Sequence, residues 1–299
     1  MSVLVVGSIA LDTIETPYGK VEDALGGSAV YFSLAAGLLG DVRLVGVVGE
    51  DFPRQYMDVL AGRRIHTAGL EVSSGKTFRW TGAYRGGMND AETLAVELNV
   101  FGTYDPRIPA AYADTEYVFL ANGSPRIQRR VREQMPRAAM VVCDTMNLWI
   151  DTARPELVKL LAEVDAVVLN DQETRMLTSC HRLVEAGRRI LDMGPKFVVI
   201  KKGEHGSLLV ARDETFALPA FPTAEVKDPT GAGDSFAGGM MGYLADTRDH
   251  SPAGLKRAMA CGTVVASLAV EGFGTKALET CARADLDSRY ARFKEMLRL

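Results

Sequence analysis

Asp228-Pro229-Thr230-Gly231-Ala232-Gly233-Asp234-Ser235-Phe236-Ala237-Gly238-Gly239-Met240-Met241-Gly242 is the most informative stretch of the chain. Three small residues, Gly231, Ala232 and Gly233, precede a segment able to form a helix. Their backbone N–H groups would lie unpaired at its N-terminus, an anion site with the carboxylate of Asp234 beside it. An Asp placed there can take a proton from a hydroxyl while the amides hold a phosphoryl group in transfer. A lone GxGD is more simply a tight loop whose Asp caps the helix.

Outward from this stretch, short β-branched runs recur: Val3–Val6, Val42–Val48, Tyr117–Leu120, Met140–Cys143, Ala166–Leu169, Phe197–Ile200 and Ser207–Val210. Segments with helical spacing lie between or after them: Ser28–Leu39, Arg126–Gln134, Arg154–Glu163, Glu173–Leu177, Leu183–Met193, Ser235–Leu244, Gly254–Ala269 and Leu286–Leu297. This alternation predicts a parallel sheet covered by helices. Residues 75–99 break it with a polar–apolar period of two around Arg85–Asp90, a hairpin with one face free to cover something. No internal repeat or Pro/Ser-rich linker divides the chain, so residues 1–299 read as one domain with a small β extension.

The 299 residues are 47% hydrophobic and 24% charged, enough to bury a large core, and the net charge of −4 without long charged runs makes nucleic acid a poor partner. The amino terminus has no basic segment, and Asp12 stops its apolar run, which predicts neither secretion nor membrane insertion. Cys143, Cys180, Cys261 and Cys281 are widely spaced and read as reduced thiols of a cytoplasmic protein. Gly7-Ser8-Ile9-Ala10-Leu11-Asp12 has one glycine where a dinucleotide fingerprint needs three, and no GxxxxGK[ST] occurs, which argues against those two classes.

The run DPTGAGDSFAGG resembles the signature of the ribokinase-like (PfkB) family of carbohydrate and nucleoside kinases, and the resemblance extends along the chain. It implies an α/β fold, a three-layer α/β/α sandwich with a mostly parallel central sheet and a small β-strand lid, formed here by residues 12–20 and 75–105. It implies Asp234 as catalytic base, Gly231, Ala232 and Gly233 as anion hole, and Asp228 and Thr230 on the phosphate side. Leu25-Gly26-Gly27-Ser28 resembles the signature whose Gly pair contacts substrate hydroxyls, and Asp12, at a strand end, matches another hydroxyl ligand. Many sugar kinases carry an Asn soon after the Gly pair, where this chain has Tyr31, Phe32 and Ser33.

Asn170-Asp171-Gln172-Glu173 resembles the family's NxxE motif, which implies that Asn170 and Glu173 organise Mg2+ through water; read by itself it also makes a helix cap. Lys202 and Gly203, in the run Val198–Ser207, and Gly262 match the nucleotide side, where some relatives bind a monovalent cation that this sequence does not reveal. Asp144 and Asn147 echo a substrate-lining pattern of some sugar and sugar-acid kinases.

The implied activity is transfer of the γ-phosphoryl group of ATP, with Mg2+, to a hydroxyl of a sugar or sugar derivative. A nucleoside kinase of the same family and a non-catalytic sugar- or nucleotide-binding relative are the alternatives. Tyr31, Phe32, Phe78, Trp80 and Met88 could form the slot a nucleobase needs, or equally pack the core and lid. If two subunits share the lid strands, the protein is a homodimer.

Overall fold

The computed structural model describes residues 1–298. The strands are β1 (Ser2–Val6), β2 (Ala10–Thr16), β3 (Gly19–Gly26), β4 (Asp41–Gly49), β5 (Ile65–Ser73), β6 (Phe78–Tyr84), β7 (Ala91–Glu97) and β8 (Tyr117–Leu120). Five more follow: β9 (Met140–Asp144), β10 (Ala166–Asn170), β11 (Phe197–Lys201), β12 (Ser207–Ala211) and β13 (Thr215–Leu218). The helices are α1 (Ser28–Gly37), α2 (Arg54–Ala61), α3 (Pro125–Gln134), α4 (Asn147–Thr152), α5 (Arg154–Leu161) and α6 (Asp171–Thr178). The last five are α7 (Leu183–Leu191), α8 (Ala232–Thr247), α9 (Pro252–Ala269), α10 (Lys276–Thr280) and α11 (Arg283–Met296).

Nine strands form the central sheet in the order β13-β12-β11-β10-β9-β8-β1-β4-β5. The seven from β11 to β5 run parallel, and β12 and β13 return antiparallel at one end. Period-two alternation builds a core on each face. Val5, Phe119, Val142, Val168 and Val199 face the cluster shared with α1, α8 and α9, while Val6, Leu120, Val141, Val167 and Val198 face the one shared with α3, α5 and α7. Helix, sheet, helix is the expected three-layer arrangement.

The lid is a second sheet, ordered β3-β2-β6-β7. Its strands run over 10–26 and 78–97, and Asn99–Thr103 is a 3-10 turn. The charged residues of β3 (Lys20, Glu22, Asp23) hide an edge strand from any hydrophobic pattern. The expected hairpin is present as the antiparallel pair β6–β7. No helix of the described residues is long and apolar enough to cross a membrane.

Candidate active site

The same alternation that builds the core places the polar residues at the carboxyl edge of the sheet. Two positions beyond Val142, Val168 and Val199, on the face under α8, the chain sets Asp144, Asn170 and Lys201. Register fixes them on neighbouring strands, with Asn170 opposite Lys201 and Asp144 opposite Val168. Lys201 Nζ is 4.0 Å from Asp144 Oδ2.

Above this edge α8 begins. Gly231 is its N-cap at φ 70°, and a Cβ there would lie 2.2 Å from the Tyr31 ring, so both the left-handed backbone and the approach to α1 require glycine. Asp234 stands in the first turn and is half-buried. Within the expected anion hole, the Ala232 amide donates to the Pro229 carbonyl at 3.1 Å. The amides of Gly231 and Gly233 take no partner among the described residues, and they are the free donors.

Asp12 reaches the site from the lid strand β2 and is buried. Its carboxylate lies against Gly26, where a Cβ would be 1.9 Å from Oδ2, and the nearby Gly27 backbone favours its charged form. Ser8 fixes the start of α1 beside it: its hydroxyl accepts from the Ser28 amide at 3.0 Å, and its carbonyl accepts from Ala29 at 3.1 Å. Desolvation, with the Asp228 charge adding to it, pushes Asp12 up to about 7. Desolvation and the nearby Asp144 likewise raise Asp234 well above the usual carboxylate range.

Asp228, expected on the phosphate side, is buried. One oxygen accepts from the Thr230 amide at 2.9 Å and the other from the Gly274 amide at 2.7 Å, so it ties the loop before α8 to the loop after α9. Thr230 donates to Tyr84 of the lid at 3.3 Å. Asn170 and Glu173 form a reciprocal capping box at the start of α6: Glu173 N–H donates to Asn170 Oδ1 at 2.7 Å and Asn170 N–H to Glu173 Oε2 at 2.6 Å. Burial raises Glu173 to about 7, against the pull of Lys201. Its other oxygen, Oε1, has no partner among the described residues, so this acid is poised to accept from a ligand or its water shell.

Gly262 is buried inside α9, where a Cβ would meet the Phe236 carbonyl of α8 at 2.5 Å; it serves helix crossing. Lys202 and Gly203 lie on the turn after β11, and the lid reaches that turn, Asn89 donating to Glu204 at 3.0 Å. Asn147 opens α4, with its Oδ1 buried and unpartnered among the described residues. Of the suggested aromatic slot, Tyr31 and Phe32 are core, Phe32 stacking on Phe119 at 4.4 Å, and Met88 packs in the lid with Ile14 and Tyr84. An apolar cavity of about 100 Å³ at the ends of β1 and β8, lined by Phe101, Tyr104, Ile127 and Trp149 among others, was not foreseen.

The pfkB family carbohydrate kinase pattern matches residues 1–281. The chain belongs to that family. A cytidine kinase of Thermococcus kodakarensis is 30% identical over 253 residues, 81% of this chain and 88% of the relative. A nucleoside kinase of Methanothermobacter thermautotrophicus is 26% identical over 273 residues, 87% of this chain and 83% of the relative. Among solved structures, the nucleoside kinase of Methanocaldococcus jannaschii matches with a TM-score of 0.78 at 20% identity, covering 97% of this chain and 98% of that one. That likeness shows the ribokinase-like fold. In the family's terms, the described architecture is the kinase sandwich with its β lid.

Proposed function

We propose that this pfkB-family kinase transfers the γ-phosphoryl group of ATP to a hydroxyl of a nucleoside, with Asp234 as the base. One observation carries the reading: a half-buried carboxylate in the first turn of α8 beside two free backbone amides. The acceptor hydroxyl gives its proton to Asp234 as its oxygen bonds to the γ-phosphorus. The bridging bond breaks with its electron pair leaving on ADP, and the Gly231 and Gly233 amides stabilise the charge on the phosphoryl oxygens. Asp12 and the Gly26–Gly27 backbone hold an acceptor diol.

Mg2+ is a hard cation that keeps most of its waters, and the free oxygen of Glu173 with the Asn170 side-chain amide suits holding it through them. When bound, it neutralises phosphate charge. An ATP–Mg2+ complex has been solved for a neighbour, an E. coli ribokinase II. An acceptor among nucleosides, rather than the sugars expected first, is supported by the cytidine kinase and nucleoside kinase relatives. A homodimer through the lid and a cytoplasmic location complete the proposal.

The test is Mg·ATP turnover to ADP across nucleosides, pentoses, hexoses, sugar acids and inositols, with Asp234→Asn as blank. Nucleosides, cytidine among them, are expected to react, and the blank to lose roughly 10²–10⁴-fold. Turnover confined to sugars overturns the acceptor assignment. An active blank overturns the base.

A further inference from the structure

Lys201 is the last residue of β11 and points to the α8 face. Its ammonium sits against the anion hole: a Cβ added to Gly233 would lie 2.8 Å from Lys201 Nζ. The side chain is 19% exposed, and its three N–H donors make no hydrogen bond among the described residues. The carboxylate oxygen that pairs with it, on Asp144, is 4.0 Å away, outside hydrogen-bond range. A buried ammonium without a bonded partner is unfavourable, and so is a cation beside the positive end of a helix. Burial works against its charge, yet Asp144, Glu173 and Asp234 together keep it protonated. A fixed cation, two free amides and a proton acceptor thus converge on one place.

We infer that Lys201 is a catalytic residue of this kinase, its ammonium donating to a non-bridging oxygen of the transferring γ-phosphoryl group on the side facing the Gly233 amide. The inference rests on the kinase reading and adds a participant to it. Lys201 keeps its proton throughout; the proton of the acceptor goes to Asp234 and the electron pair of the broken bond to ADP. The rival role is a counter-ion that only positions Asp144 and Glu173.

Two measurements separate the roles. The first needs no acceptor: calorimetric binding of Mg·ATP and Mg·ADP to wild type, Lys201→Met and Lys201→Arg, with Lys196→Met as control. Lys196 pairs with Asp165 at the far end of the same strand. If Lys201 meets the γ-phosphoryl group, Lys201→Met loses the preference for Mg·ATP over Mg·ADP by roughly tenfold or more while Mg·ADP binding holds within about threefold. Lys201→Arg keeps part of it, which also covers the case in which the Met variant folds poorly. An unchanged ATP/ADP ratio overturns the inference.

The second is kcat against pH with the acceptor found by the turnover panel. Loss of a phosphoryl contact lowers kcat by roughly 10²–10³-fold at every pH. A counter-ion role instead moves the acid limb upward and lets high pH restore kcat, and that result also overturns the inference. A folded wild type that binds Mg·ATP but turns over no acceptor counts against the kinase reading, while the binding ratio still decides Lys201.

Discussion

Burial holds the Asp12 carboxyl at about 7, and Asp234 higher than an ordinary carboxylate. In the proposed mechanism both act deprotonated, Asp12 holding hydroxyls and Asp234 taking a proton, so kcat/KM is expected to climb with pH through about 7 rather than level off near the usual carboxylate value. A rate profile flat from about pH 5 upward would refute this. The same shift acts on stability: an unfolded Asp12 loses its proton near 3.8, the folded one only near 7, so stability contributed by the neutral form is lost as pH rises between those values. Asp12→Asn is therefore expected to unfold at higher urea than wild type at about pH 8, with the difference shrinking at about pH 5. The sequence singles out Asp234 by its place in the first turn after Gly231–Gly233, and Asp12 by a strand end together with the family resemblance; the structure brings Asp12 to the carboxyl edge of the sheet on the lid strand β2 and sets Asp234 in the first turn of α8. Lys201 and Lys202 look alike in a sequence that lets either meet a phosphate; only the parity of Val199 and Lys201 on β11 tells which one faces α8.

At the scale of elements, α8 stands or falls with Gly231. Replacing it by Ala forces a side chain into a φ of 70° and into the Tyr31 ring, which is expected to cost about 1–3 kcal/mol and most of the activity, read by thermal unfolding and turnover together. The lid contact is subtler. Tyr84→Phe removes the hydrogen bond from Thr230, a net loss of about 0.5–1.5 kcal/mol. It should raise the acceptor KM or lower kcat roughly two- to tenfold while leaving Mg·ADP affinity unchanged. Seven of the nine central strands were legible to within a residue or two as short β-branched runs, while the two at the sheet's ends, β5 and β13, were missed because their residues are largely exposed or half-buried and carry no buried run. Strand β3 was not legible, because its charged residues hide it, whereas β7 was legible as the second arm of the hairpin through its period of two. Helix α4 escaped because its six residues are too few to show a period.

Across the whole molecule, the lid is a four-stranded sheet with two open edges, and β7 forms one of them. Leu94, Val96 and Leu98 are about half exposed along that edge, surface that a second lid would cover. The proposed homodimer is expected at twice the chain mass in light scattering, and Leu94→Lys with Val96→Lys to reduce it to monomer; a monomeric wild type at working concentration would refute it. A parallel sheet covered by helices was legible from alternation, and the three-layer body from the family resemblance, whereas the lid's make-up was not, because its halves are joined by the parallel pairing of β2 with β6, Ala10 opposite Phe78, which no local signal announces.

That pairing also sets what the proposed acceptor would touch. Asp12 belongs to β2, so under the proposed reading the group that holds the acceptor stands on the lid sheet, whose Asn89 already meets the turn after β11. An acceptor held there would be gripped by the same sheet that reaches the turn after β11, so one small sheet would answer to both substrates.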